Sequence, residues 1–335
     1  MNRLFRDVEG GLLCPQGSVV CIGAFDGLHL GHRALLRHAL ARARALGVPM
    51  VAVSFEPLPR EYFAQGAKPP RLLLPRAKHE GLCALGADLV GLLRFGARLS
   101  VMSAEAFVRE VLVQRLGARE VWVGPDFRFG RGRAGDLETL RKFGAEPSGQ
   151  GQGFVADEIA PVLLDGERVS STRIRAALAT GDFVAAARLL GRAYAISGRV
   201  VHGRHLGRTL GYPTANLRFG KVPALSGIFA TRVHGVGADP WPSVSSFGTR
   251  PTVGGSEPLL EAHLFDFDGD LYGRRIEVEF VAKLRDEVKF DDLPALVAQM
   301  HLDAAQARQI LEHTQPDPTA HATTNSMQTQ QRACA

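Results

Sequence analysis

The chain has 335 residues, a formal net charge of +6 and four cysteines. That length accommodates two domains, and no apolar run approaches the roughly 20 residues that span a bilayer. The cysteines (Cys14, Cys21, Cys83, Cys334) lack paired spacing, which argues against a disulfide framework or a zinc ribbon. Met1 to Gly11 carries mixed charge without a signal-peptide core, so a cytoplasmic location is expected. The arginine excess clusters beside glycine turns, as in Arg128–Arg133, rather than along a basic helix with interleaved aromatics. Small phosphate ligands are favoured over nucleic acid, and no membrane partner is expected.

From Ser18 to about Gly191, apolar strands alternate with helical periodicity. Strands are expected at Val19–Ala24, Met50–Phe55, Leu89–Leu93 and Val121–Val123, and helices at Arg33–Leu46, Arg76–Leu85, Ala104–Leu116 and Leu137–Gly144. Such alternation predicts a Rossmann-like α/β domain with a parallel sheet covered on both faces and its ligand beyond the carboxyl ends of the strands.

Gly23-Ala24-Phe25-Asp26-Gly27-Leu28-His29-Leu30-Gly31-His32 joins the first of these strands to its helix. Backbone N–H groups and a helix N-terminus meet there, which suits phosphate. His29 and His32 share a face at a helix start. On the residues alone, a plain tight turn and a phosphate site are both open. Zinc is disfavoured because no third ligand lies near in sequence.

Further on, Arg168-Val169-Ser170-Ser171-Thr172-Arg173-Ile174-Arg175 opens a helix. Ser171 or Thr172 reads as its N-cap. Arg168, Arg173 and Arg175 then crowd a positive helix end, an arrangement that an anion would relieve.

From Tyr194 the pattern changes to short alternating runs: Ala195–Val201, Gly227–Val233, Ser243–Phe247, Leu259–Phe267 and Arg275–Val281. These predict a small antiparallel β-barrel, followed by an amphipathic C-terminal helix over Leu293–Leu311. The aperiodic stretch after His313 reads as disordered. Within the barrel half, Val201 to Asn216 carries Gly203, Gly207, Arg208 and Gly211 ahead of Pro213-Thr214-Ala215-Asn216. It reads either as a long surface hairpin or as a glycine flap over phosphates, with Thr214 and Asn216 as hard ligands for Mg2+. Glu261 shares a strand face with His263, Phe265 and Phe267, and that face either is wet or lines a pocket. The carboxylates Asp266, Asp268, Asp270 and Glu277 mimic a calcium loop, but Leu271 occupies the position that requires glycine.

Gly23–His32, Gly124-Pro125-Asp126-Phe127-Arg128-Phe129-Gly130, Arg168–Arg175 and Val201–Asn216, in this order, resemble the bacterial bifunctional riboflavin kinase/FAD synthetase family, from about Ser18 to Leu311. The resemblance implies an FMN adenylyltransferase domain over residues 1–190, a riboflavin kinase barrel over 191–312 and a tail over 313–335. It implies that His29 and His32 contact ATP phosphates within the turn that includes Gly23, Phe25, Asp26 and Gly31. It also implies that Arg168, Ser171, Thr172 and Arg175 lie on the ATP side, and that Asp126 lines the site. In the second domain it implies Glu261 as catalytic base, with Arg285 in a flavin-side lid. Substrates would be riboflavin, FMN and ATP with Mg2+, and no tightly bound prosthetic group is required. Leu58, Pro125 and Ser246-Phe247 depart from the family pattern. The alternatives are a single-activity nucleotidyltransferase for another cofactor and a basic RNA-binding protein.

Overall fold

In the computed structural model, residues 3–146, 153–203, 207, 210–252 and 255–314 are described. Arg208 and residues 315–335 of the expected tail lie outside them.

The apolar runs of the first half form six parallel strands: β1 (Arg3–Phe5), β2 (Ser18–Ile22), β3 (Met50–Glu56), β4 (Leu89–Arg94), β5 (Ala118–Val123) and β6 (Val155–Glu158). Their order is β1-β4-β3-β2-β5-β6. Every residue of β2 is buried, as expected for a strand covered on both faces. The helices are α1 (Leu30–Leu46), α2 (Pro59–Tyr62), α3 (Pro75–Ala84), α4 (Ala97–Val101), α5 (Ala104–Ala106) and α6 (Leu137–Ala145). Helix α1 buries Leu35, Leu36, Ala39 and Ala43 and stops at Gly47, whose left-handed backbone lets its N–H reach Ala43 O and Arg44 O. The expected helix over Ala104–Leu116 is α5 continued by a π-helical stretch, Phe107–Arg115. Strands β1 and β6 escaped the sequence reading because each is only three or four residues long and partly exposed. Strand order reverses between β2 and β5, which leaves a crevice beyond their carboxyl ends.

A two-residue-per-strand hairpin follows, β7 (Leu163–Leu164) with β8 (Glu167–Arg168). Its turn residues, Asp165 and Gly166, both have positive φ, and Asp-Gly favours that mirror-image geometry. The chain divides into two compact units after Ser170, with Pro70–Leu74 grouped with the second. Within that second unit Arg71 N–H donates to Val222 O at 2.8 Å.

Helices α7 (Ser171–Thr180) and α8 (Phe183–Leu190) open the second unit. Ser171 and Thr172 are the first two helical residues of α7, so the cap position falls on Ser170 and not on either of them. Asp182 caps α8 by accepting from Ala185 N–H. Phe183 packs against Phe229 and Phe280, which ties α8 to the barrel. The barrel consists of β9 (Ala195–Val201), β10 (Ala215–Arg218), β11 (Gly227–His234), β12 (Trp241–Thr252), β13 (Gly255–Leu264) and β14 (Arg275–Arg285). It closes in the order β10-β13-β12-β11-β14-β9, with every neighbouring pair antiparallel. Helix α9 (Leu293–His313) lies on the outer face, where Ala304, Ala307 and Leu311 join Ala230 and Phe265 in one apolar cluster. Among the described residues, no helix is long and apolar enough to cross a membrane.

Candidate active sites

The turn after β2 is built from backbone conformations that the core enforces. Phe25 (φ 48°) and Leu28 (φ 48°) are non-glycine residues in left-handed geometry, flanking Gly27 (φ 97°). Both are buried, so packing holds what the backbone alone disfavours. His29 then caps α1: its Nδ1 accepts from the His32 N–H at 3.3 Å. A ring nitrogen that accepts carries no proton, which leaves the His29 hydrogen on Nε2. The two imidazoles stack with centroids 3.7 Å apart, and Phe25 meets His32 edge-on at 5.3 Å. Gly31 makes the stack possible, because a Cβ there would sit 3.2 Å from His29 Cε1. Gly23 is restricted in the same way by the Phe25 ring, 3.0 Å from an added Cβ.

Charge around this turn is arranged in layers. Burial pushes the His32 pKa well below its ordinary value, and the neighbouring His29 and Lys78 push it further in the same direction. His32 is therefore neutral near neutral pH, and its buried Nδ1 has no hydrogen-bond partner among the described residues. Such an orphaned polar atom calls for a ligand or a water. Asp26, also buried, pairs with Arg60 at 2.5 Å. Lys78 on α3 is fully buried, with its Nζ 3.4 Å from Ser54 Oγ and 3.4 Å from Phe55 O. Ser54 in turn donates to Ala24 O, so Lys78 braces the turn through one intermediary.

The loop after β5 contributes Asp126, in left-handed backbone geometry, and the β7–β8 hairpin contributes Arg168. These two pair at 2.5 Å, and Arg168 also donates to Pro125 O at 3.0 Å. Both are substantially exposed, as befits groups available to a ligand. Arg175 on α7 donates from Nε to Pro70 O at 2.9 Å within the second unit, where Ser171 and Thr172 open the same helix.

Several participants here were not anticipated from the sequence. Lys78 and Arg60 lie in amphipathic or polar runs with nothing to mark them. An aromatic cluster of Phe55, Tyr62, Phe63 and Phe95, with ring centroids 5.2–5.8 Å apart, stands where β3 and β4 end, and Phe63 is 60 % exposed. The Asp165-Gly166 turn was the one legible signal, since it sets the hairpin that presents Arg168.

The second site is a cavity of about 580 Å³ whose lining includes Gly207, Thr214, Asn216, Glu261, His263 and Arg285. It lies on the outer face of the barrel. Leu260, Ala262 and Phe247 are buried in the interior, so by strand alternation Glu261 and His263 point the other way. Asn216 is on β10, directly opposite Glu261 on β13, and Ser246 on β12 is the other partner of Glu261. Asn216 Nδ2 donates to Thr214 O at 3.1 Å and to Thr214 Oγ1 at 3.4 Å, which ties the two expected ligands together. Glycines leave room around them. A Cβ on Gly203 would stand 2.7 Å from Asn216 Nδ2, and one on Gly207 would stand 2.3 Å from Tyr212 O. Gly211 has φ 82°.

Phe267 shares the cavity with Glu261 and His263, but Phe265 does not. Strand β13 ends at Leu264, Asp266 turns with φ 55°, and Phe265 packs into the α9 cluster beneath Arg308. Burial lowers the His263 pKa, and its Nδ1–H donates to Pro213 O at 2.9 Å. Among the described residues no cluster of three or more His, Cys, Asp or Glu side chains could hold a metal ion. The hydroxyl and amide oxygens of Thr214 and Asn216 are hard donors of the kind that share magnesium with phosphate oxygens.

Both sites pair small backbone turns with polar groups suited to phosphate, one on a parallel sheet and one on a barrel. Fold and sites together define a two-domain enzyme that transfers phosphorus-containing groups. The family model described as FAD synthetase matches residues 13–173, and that described as riboflavin kinase matches residues 190–311. A bifunctional riboflavin kinase/FMN adenylyltransferase of Escherichia coli K12 is 42 % identical over 316 residues, covering 94 % of this chain and 99 % of the relative. The protein of the same name from Pseudomonas fluorescens is 46 % identical over 310 residues, covering 91 % and 95 %. A crystal structure titled as a macrolide-efflux protein from Streptococcus pneumoniae matches with a TM-score of 0.74 at 28 % identity, covering 93 % of this chain and 99 % of its own. The chain belongs to the bifunctional riboflavin kinase/FMN adenylyltransferase family. Its substrates are accordingly riboflavin, FMN and ATP.

Proposed function

We propose that residues 191–312 phosphorylate riboflavin and that residues 1–190 adenylylate the resulting FMN. The observation that carries the reading is the register pairing of Asn216 with Glu261 inside one cavity with Thr214. It sets a carboxylate beside two hard oxygen donors, as transfer from a metal–nucleotide complex to a hydroxyl requires.

In the kinase, Glu261 takes the proton of the ribityl 5′-hydroxyl as its oxygen bonds to the γ-phosphorus of ATP. The bond from that phosphorus to the β,γ-bridging oxygen breaks, and ADP leaves. Thr214 and Asn216 would hold Mg2+, which when bound offsets phosphate charge. Gly203, Gly207 and Gly211 belong to the flap over the phosphates, and Arg285 to the flavin side.

In the adenylyltransferase, a phosphate oxygen of FMN attacks the α-phosphorus of a second ATP, and pyrophosphate leaves. That phosphate is already ionised near neutral pH, so no protein base is needed. His29 through Nε2–H and His32 through its half-buried ring stabilise charge on the α-phosphate. Gly23, Phe25, Asp26 and Gly31 shape the turn. Arg168, Ser171, Thr172 and Arg175 serve the ATP side, and Asp126 orients Arg168. The buried, reduced thiols of Cys14 and Cys21 fit a cytoplasmic setting.

Chromatography of the products formed from riboflavin, ATP and magnesium tests the reading. FMN followed by FAD is expected. A chain that yields neither, or one of them only, would refute it in whole or in the corresponding half.

A further inference from the structure

Helix α9 carries one buried carboxylate, Asp303, on the side that faces the cavity. It accepts from Arg285 twice in a bidentate fork: Nε lies 2.9 Å from Oδ1 and Nη2 lies 2.7 Å from Oδ2. Gln299, one turn earlier on α9, donates to Asp303 Oδ1 at 2.9 Å and fixes the carboxylate from behind. Arg285 Nη1 donates to Asp286 O at 3.0 Å, and the guanidinium lies over the Phe290 ring at 5.7 Å. The guanidinium is thus held on several sides, yet it has five N–H groups and these contacts leave some of them for the cavity. A buried ion pair is a poor way to gain stability, because desolvation offsets most of its attraction. Its geometry, on the other hand, is highly specific. The surroundings match a flat neutral ligand: Val288, Phe290, Leu296 and Met300 supply apolar wall beside the pair.

We infer that Asp303 is a positioning residue of the riboflavin kinase, holding Arg285 as a charge-balanced hydrogen-bond donor to the neutral substrate rather than as a phosphate-binding cation. The inference rests on the kinase reading of the barrel. With its charge offset by Asp303, the guanidinium offers direction more than field. The phosphates are served by other lining residues, Thr214 and Asn216.

The test is steady-state kinase kinetics on the full chain. Asp303→Asn should raise the KM for riboflavin roughly tenfold, the loss of about one charge-assisted hydrogen bond, and leave the KM for ATP unchanged. Placing the same change in an Arg285→Gln background should add nothing, since Asp303 acts only through Arg285. A rise in the ATP KM, an unchanged riboflavin KM, or additive effects in the double variant would each overturn the inference. Should Asp303→Asn fail to fold, Arg285→Lys keeps the charge balance but loses the fork, and it must raise the riboflavin KM alone. Absence of kinase activity in the unaltered chain would refute the barrel reading itself, which separates the two failures.

Discussion

Asn216 and Glu261 stand directly opposite each other on β10 and β13, so the expected metal ligand and the expected base are fixed by one antiparallel register. A one-residue slip of β10 would turn Asn216 to the other face of the barrel, away from Glu261. The kinase site therefore depends on the barrel's register as much as on its residues. Glu261→Gln keeps the shape and removes the basicity. It should abolish FMN formation from riboflavin by two or more orders of magnitude, about the contribution of a general base, while FAD formation from added FMN continues. Product chromatography with each substrate separately checks this, and kinase activity in the variant would remove Glu261 as base.

The reverse separation is expected from His29. His29→Ala removes both the ring that stacks on His32 and the acceptor for the His32 N–H. FAD formation should fall by at least about a hundredfold, as for loss of a donor that stabilises developing charge, with FMN formation retained. Loss of both activities in a folded variant would refute the division of labour between the halves.

His32 predicts a pH dependence of stability. Its pKa in the folded chain is lowered, chiefly by burial, whereas in the unfolded chain it returns to about 6.5. Below that value the unfolded state binds a proton that the folded state refuses, so the His32 contribution to stability is lost as the pH is lowered. Above about pH 7.5 neither state is protonated and the contribution is constant. His32→Gln should flatten the difference between chemical denaturation at pH 5.5 and at pH 7.5. An identical pH slope in both proteins would contradict a neutral His32.

Asp26 is buried and paired with the half-exposed Arg60. Asp26→Asn leaves Arg60 without its counter-charge but still able to reach water. A loss of about 2 kcal/mol is expected, less than for a fully buried pair. Urea denaturation measures it. A change below about 0.5 kcal/mol would mean that the carboxylate serves a ligand and not the fold.

Much of this protein was legible before any coordinates. Alternation with period 2 located β9, β11 and β14 to within a few residues of their ends, because each half-buried strand must place every second residue inside. The buried run of β2 and the glycine-rich turn after it marked the first site for the same local reason: only certain residues tolerate that backbone. Phe265 was placed on the Glu261 face by alternation alone, and alternation fails where the strand ends at Leu264.

Only the tertiary structure decided which distant residues meet. Lys78 beneath Ser54, Arg60 on Asp26 and Asp303 on Arg285 join partners 18 to 34 positions apart. No local pattern encodes such pairs, because a charged residue on an amphipathic helix reads the same whether it faces water or a buried partner. The sequence by itself determined most of the longer elements, the two classes of fold and the glycine turns, since those follow from backbone preference and hydrophobic period. Burial, register and charge pairing came from packing, where the low dielectric makes an unpaired group costly and so selects its partner.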